Sequence, residues 1–416
     1  MHSVYLSWGI ALAATAGVIT RPFKWPEAVW AVAGAALLVV LGLLPVGAAL
    51  QAVGKGSDVY FFLCGMMLLS EVARREGLFD WVAVLAVNHS RGSPVRLFTL
   101  VYLTGVVVTA FLSNDAAAVV LTPAVFAAAK KAKTEPLPLL FACALVANAA
   151  SFILPISNPA NLVLYGNHTP TLIQWLSRFA LPSLLAVAAT YGLLRWSQRA
   201  ALHGDCETQV EAADLTTSGR IALGGIVATA VVLLLVSAFD IRLGLPTALL
   251  GVLTAATVLI QRRASPVPML RDISWSVLPL VAGLFVLVEM LQRTGVIAQL
   301  AGLVHAAAQQ HEWASAAVGG GVIAIASNLL NNLPAGLIAS STVIQAHSPQ
   351  RVIDALLIGV DLGPNLSITG SLATILWLKA IRREGEDVGF LAFLKVGSVV
   401  MLPALALALG ARIMLA

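Results

Sequence analysis

The sequence predicts an all-α polytopic membrane protein with about ten transmembrane spans plus two re-entrant hairpins, arranged as two inverted repeats. Three observations predict this fold: the composition, the apolar segments and a repeat between the two halves of the chain. Of the 416 residues, 59% are apolar and 11% are charged, and the mean hydropathy is +0.90. A soluble domain is about half apolar and about a quarter charged. The composition therefore excludes a water-soluble enzyme, a disordered chain and a nucleic-acid-binding domain.

Eight apolar segments are long enough to cross a bilayer, which takes about 20 helical residues. They lie at residues 3–20, 28–50, 58–73, 179–195, 220–239, 246–261, 275–292 and 389–415. The shorter, more mixed segments 78–90 and 296–308 predict helices that lie in the membrane interface. No basic residue precedes the first apolar segment, so we expect a retained span there and not a cleaved signal peptide.

The basic residues set the predicted orientation. Most of the 25 Lys and Arg residues fall at one set of span ends, which we therefore predict to be cytoplasmic. This distribution also explains the net charge of +5 without a nucleic-acid partner. Both ends of segment 97–129 lie on the predicted cytoplasmic side, and both ends of segment 314–346 lie on the other side. Each segment carries an Asn cluster near its middle, so each is predicted to be a re-entrant hairpin with its turn at that cluster.

The two halves of the chain repeat at an offset of 218 residues, which places Glu71 on Glu289 and Asn114 on Asn332. In the predicted topology the two copies have opposite orientation, as in the inverted repeats of many secondary transporters. The predicted divisions are N-terminal spans, a first repeat, an acidic cytoplasmic linker and a second repeat, at residues 1–57, 58–195, 196–219 and 220–416.

Polar residues at the two hairpin turns form the first candidate site. They are Ser113-Asn114-Asp115 in the first turn, and Asn328 with Asn331-Asn332 in the second. Hydrocarbon cannot satisfy amide or carboxylate groups, so these side chains must face protein or a water-filled cavity. We interpret the turns as tips that present Asn side chains and helix N-termini to a solute near the midplane. The alternative is that these residues only cap helix ends.

Two further spans are broken, near residues 155–161 and 361–365. Proline removes a backbone donor, and unwound backbone is tolerated in a membrane only inside protein or along a cavity. Breaks at equivalent places in two halves are typical of a transporter site, whereas the alternative is a simple proline kink. The predicted substrate-binding residues at the turns and breaks are Asn114, Ser157, Asn158, Asn161, Asn331, Asn332, Asn365 and Thr369.

Only a few ionisable groups fall inside predicted spans, and the candidates among them are Asp115, Asp361, Glu71 and Glu289. A carboxyl group that is buried in a membrane can exchange a proton near neutral pH, so Asp115, and after it Asp361, are the candidate proton carriers. Glu71 and Glu289 each precede an arginine by four residues, which predicts structural ion pairs instead.

Motifs for other chemistry are absent from the sequence. There is neither a Walker loop nor a His-Glu-x-x-His motif, and three widely spaced cysteines suggest no metal site. We therefore predict a secondary transporter that is not an enzyme and needs no cofactor. An intramembrane hydrolase stays the competing class, and a reactive Ser/His pair or a second catalytic Asp near Asp361 would favour it.

The motifs at the turns and breaks resemble those of the arsenite efflux permease family, within the ion transporter superfamily. They are Phe111-Leu112-Ser113-Asn114-Asp115 with Leu121-Thr122-Pro123, Pro155-Ile156-Ser157-Asn158-Pro159-Ala160-Asn161, Asn331-Asn332-Leu333-Pro334-Ala335, and Asp361-Leu362-Gly363-Pro364-Asn365 with Gly370-Ser371-Leu372-Ala373-Thr374.

The resemblance implies export of arsenite and antimonite across the cell inner membrane in exchange for protons, by alternating access, and hence arsenic resistance. Some members of that family work with a cytosolic arsenite-stimulated ATPase, which makes such an ATPase a candidate partner. The superfamily also includes sodium/proton antiporters, silicon exporters and dicarboxylate transporters, and these alternatives stay open.

Overall fold

A computed structural model describes residues 2–166, 170–207, 214–239 and 241–415. Within these residues the chain contains helices and no β-strand, so the predicted all-α fold is confirmed. Part of the predicted linker, including Glu211, lies outside the described residues.

The helices follow the same order in the two halves of the chain. The first half contains α1 (His2–Thr20), α2 (Glu27–Val40), α3 (Val46–Lys55), α4 (Ser57–Arg75), α5 (Leu78–His89), α6 (Pro94–Phe111), α7 (Asn114–Ala116), α8 (Thr122–Lys131), α9 (Pro136–Ala149), α10 (Pro159–Tyr165) and α11 (Leu172–Ser197). The second half contains α12 (Thr217–Ala238), α13 (Gly244–Arg262), α14 (Val267–Asp272), α15 (Val277–Arg293), α16 (Val296–Gln310), α17 (Glu312–Leu330), α18 (Asn332–Ala346), α19 (Gln350–Leu362), α20 (Leu372–Arg383) and α21 (Phe390–Met414). Opposite orientation of the two halves in a membrane stays a prediction.

The interruptions of the helices also correspond. In each half a turn follows a long helix, after α6 and after α17, and a short 3₁₀ segment lies further along the chain, after α9 (Pro155–Ser157) and after α19 (Gly363–Leu366). A π-helical stretch, Ala117–Leu121, joins α7 to α8. The turns and breaks therefore lie where the sequence placed them.

One predicted span is wrong in its extent. Segment 28–50 is two helices, α2 and α3, separated at residues 41–45. Gly42 has a φ of +67°, which glycine adopts without a steric penalty, and Pro45 precedes α3, so both residues favour an end to α2. Helix α3 instead joins α4 with a bend of 49°.

The number of spans stays a prediction. In the described residues, six helices are long and apolar enough to cross a membrane, or up to eight if each bent helix pair is one span. Helices α5 and α16 coincide with the two segments predicted to lie in the interface, and α16 is bent from α15 by 73°.

Helices α1–α4 and α12–α15 pack together as one group, which we call the scaffold body. Its closest contact joins α4 to α13, and α2 packs against α15. A Cβ atom on Gly65 would lie 2.2 Å from the carbonyl oxygen of Thr247, and one on Gly251 would lie 2.6 Å from the carbonyl oxygen of Gly65. The backbones of α4 and α13 therefore touch, as small residues allow in membrane helix packing.

The helices α6–α11 and α17–α21 form a second group, which we call the site body. Here α17 packs closely on α19, and α11 packs on α21. A Cβ atom on Gly359 would lie 2.3 Å from the carbonyl oxygen of Gly320, so α17 and α19 also touch through their backbones. Both hairpin turns and both breaks belong to the site body, which meets the scaffold body where α10 contacts α4 and α18 contacts α15.

The structural ion pairs predicted from the sequence are confirmed. Arg75 Nε lies 2.6 Å from Glu71, and Arg293 Nε lies 2.9 Å from Glu289. Each ion pair also links the two halves of the chain. Arg75 also contacts Asp272 of α14, and Glu289 also lies 2.7 Å from Lys55 of α3. These pairs strengthen the scaffold body.

The contact between α4 and α13 generates a test of the scaffold. We expect Gly65→Ala to lower the free energy of unfolding by about 1–3 kcal/mol, because the added methyl group must push two touching backbones apart. Gly224→Ala is the matched control, since nothing lies within 4 Å of a Cβ atom there and alanine favours a helix over glycine by about 1 kcal/mol. Thermal unfolding in detergent measures both. Equal stability of the two variants would contradict the close approach.

Candidate functional site

The first hairpin turn separates its capping residue from the residues that face a cavity. Ser113 is the N-cap of α7, and its Oγ accepts the N–H of Ala116 at 3.4 Å. The Oδ1 atom of Asn114 accepts the N–H of Asp115 at 2.9 Å. The side chains of Asn114 and Asp115 both line a cavity described below. Capping at this turn therefore rests on Ser113, which leaves its two neighbours to the cavity.

The second turn shows the same division. Asn331, with a φ of +73°, is the N-cap of α18, and its Oδ1 accepts the N–H of Leu333 at 3.4 Å. The backbone N–H of Asn332 donates to the carbonyl of Gly370 at 2.9 Å, and its side chain lines the same cavity as Asn114. The capping alternative thus describes Asn331 and not Asn332.

The break between α9 and α10 carries three of the predicted residues. Asn158 caps α10 by accepting the N–H of Ala160 at 3.0 Å, and its Nδ2 donates to Asp361 Oδ1 at 2.8 Å. The Nδ2 of Asn161 donates to the carbonyls of residues 151, 154 and 155, at 2.9, 3.3 and 3.3 Å. Ser157 Oγ donates to the carbonyl of residue 110 at 3.2 Å. Asn161 and Ser157 therefore order unwound backbone.

The break between α19 and α20 is ordered in the same manner. Asn365 Nδ2 donates to the carbonyl of Leu145 at 2.9 Å, and its Oδ1 accepts from Asn148 Nδ2 at 3.0 Å. Thr369 Oγ1 donates to the carbonyl of Asn328 at 3.0 Å. The side chains of Asn365 and Thr369 are thus engaged in hydrogen bonds that hold the break.

Each break is fastened to the intact helix that precedes the other break. Asn158, the N-cap of α10, donates to Asp361 near the end of α19. Ser371, the N-cap of α20, donates to Asn148 Oδ1 near the end of α9 at 3.2 Å. Sequence reasoning missed Asn148 and Ser371. An amide at residue 148 in the otherwise apolar stretch 136–149 was the signal that could have identified the first of them.

The two hairpin tips and the first break meet at a small cavity of about 10 Å³. Its polar lining residues are Asn114, Asp115, Asn158 and Asn332. Its apolar lining residues are Leu63, Pro159, Val277, Leu333 and Leu372. In the described part of the chain, the lining of this cavity does not include the other predicted residues: Ser157, Asn161, Asn331, Asn365, Thr369 and Asp361. Their assignment as substrate or proton ligands stays a prediction.

Asp361 lies one hydrogen bond away from the small cavity. Its side chain is 0% exposed, and Oδ1 accepts from Asn158, which itself lines the cavity. The second oxygen, Oδ2, has no hydrogen-bond partner among the described residues. An unsatisfied buried charge is costly, so Asp361 stays a candidate proton carrier, as the sequence predicts.

A larger cavity of about 640 Å³ continues from the small one. The two cavities share the lining residues Leu63, Asp115, Pro159, Val277 and Leu372, so Asp115 stands at their junction. Exposed charged residues line the far end: Arg74, Arg271, Asp272, Lys379 and Arg383. This is the end predicted to be cytoplasmic. The larger cavity is therefore a route from that side to Asp115.

Comparison with known proteins places this geometry among transporters. The citrate transporter family pattern matches residues 14–360. An arsenical pump membrane protein of Yersinia enterocolitica is 26% identical over 392 residues, covering 91% of each chain. One of Escherichia coli strain K12 is 26% identical over 367 residues, covering 83% of each chain. These relatives confirm the resemblance to arsenite efflux permeases. An uncharacterized transporter of Mycobacterium tuberculosis is 28% identical over 358 residues, covering 82% of each chain.

Two solved structures share the fold. The YdaH transporter of Alcanivorax borkumensis aligns with a TM-score of 0.58 and 15% identity, covering 100% of this chain and 97% of its own. MtrF of Neisseria gonorrhoeae, described as an antimetabolite efflux pump, aligns with a TM-score of 0.50 and 13% identity, covering 89% of this chain and 82% of its own. At these identities the likeness concerns the fold alone.

The division between amides that line the cavity and amides that order backbone can be tested without a substrate. We expect Asn365→Ala to lower the free energy of unfolding by about 2 kcal/mol, because it removes the bond to the Leu145 carbonyl and leaves the buried Asn148 amide without its acceptor. Asn332→Ala is the matched control, and we expect a cost below about 1 kcal/mol, since the Asn332 side chain faces the cavity. Thermal unfolding of both variants in detergent measures the difference. An equal loss in both would contradict the division.

Proposed function

Because the chain belongs to the citrate transporter family, it is a membrane transporter, and we propose that it exports arsenite and antimonite in exchange for protons. The proposed mechanism is alternating access, and the proposed location is the cell inner membrane. The arsenical pump relatives support this substrate. A cytosolic arsenite-stimulated ATPase as partner, and a role in arsenic resistance, stay predictions of the resemblance.

The chemistry of the small cavity is the observation that carries the proposal. At neutral pH arsenite is mostly an uncharged trihydroxide, whose hydroxyl groups both donate and accept hydrogen bonds. Side-chain amides also donate and accept, and Asn114 and Asn332 line the cavity, so they match such a solute in both senses, while Asn158 is held by its bonds to Ala160 and Asp361. Among the described residues, no Lys or Arg lines the small cavity. Its polar lining therefore suits a small neutral hydroxide better than a multiply charged anion.

The size of the small cavity requires movement during transport. About 10 Å³ holds roughly one water molecule, so a bound trihydroxide must displace the hairpin tips or α10. Amides on the site body line the cavity together with Leu63 and Val277 of the scaffold body. A shift between the two bodies would therefore enlarge the cavity and change the side to which it opens.

Uphill export of an uncharged solute needs a coupled ion or an external motor, since the membrane potential exerts no force on it. The sequence has no nucleotide-binding motif of its own, and we propose an ion as the driving species. Asp115 is adjacent to Asn114 and borders both cavities, so a proton on this carboxyl group and a solute on the amides would compete for one space. Competition of this kind gives exchange instead of cotransport. Asp361, bonded to Asn158, is the second candidate carrier.

Asp115→Asn tests the coupling. In everted vesicles with an imposed pH gradient, we expect this variant to lose gradient-driven arsenite uptake by at least roughly tenfold, equivalent to about 1.4 kcal/mol. Exchange of labelled for unlabelled arsenite should persist, because the amides that would bind the solute are intact. Asp205→Asn, an exposed residue of the linker, is the matched control. Full gradient-driven uptake by Asp115→Asn would move the assignment to Asp361.

A second candidate function is export or import of an anionic carboxylate such as citrate. The mouth of the larger cavity favours it, because Arg271, Lys379 and Arg383 are exposed there and form no salt bridge within the described residues. Asp272 also lies there but is paired with Arg74 and Arg75, so the charge at the mouth is mainly positive, and a mainly positive cleft concentrates anions. The family pattern is also described as that of a citrate transporter.

The two candidates differ in their response to removal of a mouth charge. If the substrate is arsenite, Arg383→Gln should leave arsenite uptake within about twofold, since a neutral solute is not steered by charge. If the substrate is citrate, the same change should lower citrate uptake at low salt by roughly tenfold. Arg220→Gln is the matched control, being exposed and remote from the cavity lining. Uptake of citrate but not arsenite by the unaltered protein would overturn the first proposal.

A further inference from the structure

Helix α10 carries Asn158 to the small cavity but is too short to hold its own position. It contains seven residues, from Pro159 to Tyr165. Isolated helices below about 12 residues are marginal even in favourable sequences. The position of Asn158 therefore depends on what α10 contacts: the helix packs along its length on α18, and its two ends are hydrogen-bonded elsewhere.

Both ends of α10 are fastened to α19. At the N-terminal end, Asn158 Nδ2 donates to Asp361 Oδ1 at 2.8 Å. At the C-terminal end, the hydroxyl of Tyr165 donates to Asp354 Oδ1. On each helix the two bonded residues are two turns apart. The two helices therefore run antiparallel, with one polar link at the site and a second link remote from it.

The remote link ends on a buried ion pair. Asp354 is 0% exposed and Arg412, on α21, is 5% exposed. Arg412 Nε and Nη2 each lie 2.7 Å from Asp354 Oδ2, and Gln350 Nε2 donates to Asp354 Oδ1 at 2.7 Å. A buried ion pair with additional hydrogen bonds contributes little net stability, but it can fix one helix register against another.

The same cluster is anchored to two further helix ends. Arg412 Nη1 and Arg351 Nη2 both donate to the carbonyl of Leu415 at the end of α21, at 3.2 and 3.4 Å. Arg351 Nη1 lies 2.8 Å from Glu312 at the start of α17. The carboxylate that receives Tyr165 is therefore held by Gln350 of α19 and Arg412 of α21, and the surrounding cluster reaches α17 through Arg351, so it gives the short helix α10 a fixed point.

Among the described residues, no such polar link lies at the corresponding place of the first half. At the offset that puts Asn148 on Asp361, Phe141 corresponds to Asp354 and Leu378 corresponds to Tyr165. Phe141 instead packs against the rings of Trp377 and Phe393, with centroids 5.7 and 5.9 Å apart. The polar link is thus specific to α10, and the corresponding contact of α20 is an aromatic one.

We infer that Tyr165, with the Asp354–Arg412 ion pair, positions α10 and thereby holds Asn158 at the small cavity. Tyr165 and Asp354 are positioning residues, since they lie two helical turns away from the cavity and act on it through Asn158. The inference concerns the architecture of the site; only its transport readout rests on the proposed function.

Tyr165→Phe tests the inference while leaving the Asp354–Arg412 pair intact. We expect amide hydrogen exchange in the purified protein to accelerate roughly tenfold or more in the peptide covering α10, the magnitude of one lost hydrogen bond to a charged group. Exchange in peptides from α4 and α13 should stay unchanged. Tyr102→Phe is the matched control, because Tyr102 is also a buried phenol and donates to the carbonyl of Val187 at 2.8 Å.

Two results of the exchange experiment would overturn the inference. One is identical exchange of α10 in Tyr165→Phe, Tyr102→Phe and the unaltered protein. The other is acceleration spread equally over α4 and α13, since the phenol would then support the whole fold and not α10.

Arsenite uptake in everted vesicles adds a functional readout. Tyr165→Phe should lower the rate or raise the half-saturating arsenite concentration relative to Tyr102→Phe, at equal thermal stability. Unchanged uptake together with accelerated exchange would overturn the link between α10 and the cavity. If the unaltered protein does not move arsenite, the proposed substrate fails, while the exchange comparison still decides the role of Tyr165.

Discussion

Hydrogen bonding of unwound backbone inside the protein is the constraint on which this structure depends. A helix satisfies its own N–H and carbonyl groups, but the breaks after α9 and α19 do not, and lipid offers no replacement partners. Side-chain amides supply them: Asn161 binds three carbonyls at the first break, and Asn328 Nδ2 donates to the carbonyl of Gly363 at the second, at 3.0 Å. Asn365 instead ties the second break to helix α9 through the carbonyl of Leu145. Several asparagines that look like substrate ligands therefore hold the backbone in place.

Hydrogen bonds also explain why the two breaks form one unit. The cap of α10 bonds to α19, and the cap of α20 bonds to α9, so neither break can shift without the other. Backbone contact at Gly359 stiffens the same group of helices, and contact at Gly65 stiffens the scaffold body separately. Packed groups of this kind shift against each other more readily than they deform internally. Motion between the two bodies is thus the least costly way to change access to the small cavity.

Charge is distributed unevenly along the path to the site. Amides and one carboxyl group form the deep end, while the exposed mouth carries several cations. A neutral solute would pass the mouth unaffected and bind at the deep end, whereas an anion would be attracted at the mouth and then meet Asp115. The charges at the mouth therefore favour an anion, and the amides at the deep end favour a neutral solute. The substrate depends on which of these two preferences is the stronger.

The sequence by itself determined the all-α membrane fold, the order of helices, and the places of both turns and both breaks. These features follow from local constraints: the apolar length that spans a bilayer, the missing donor of proline and the cost of amides in hydrocarbon. Only the tertiary structure decided which asparagines line the cavity, because that depends on acceptors far away in the chain, as when Asn365 meets Asn148 and Asn158 meets Asp361. It also decided the partnership of Tyr165, Asp354 and Arg412, which lie on three separate helices. No local sequence pattern indicates such a contact, because only the packing of the helices brings these three residues together.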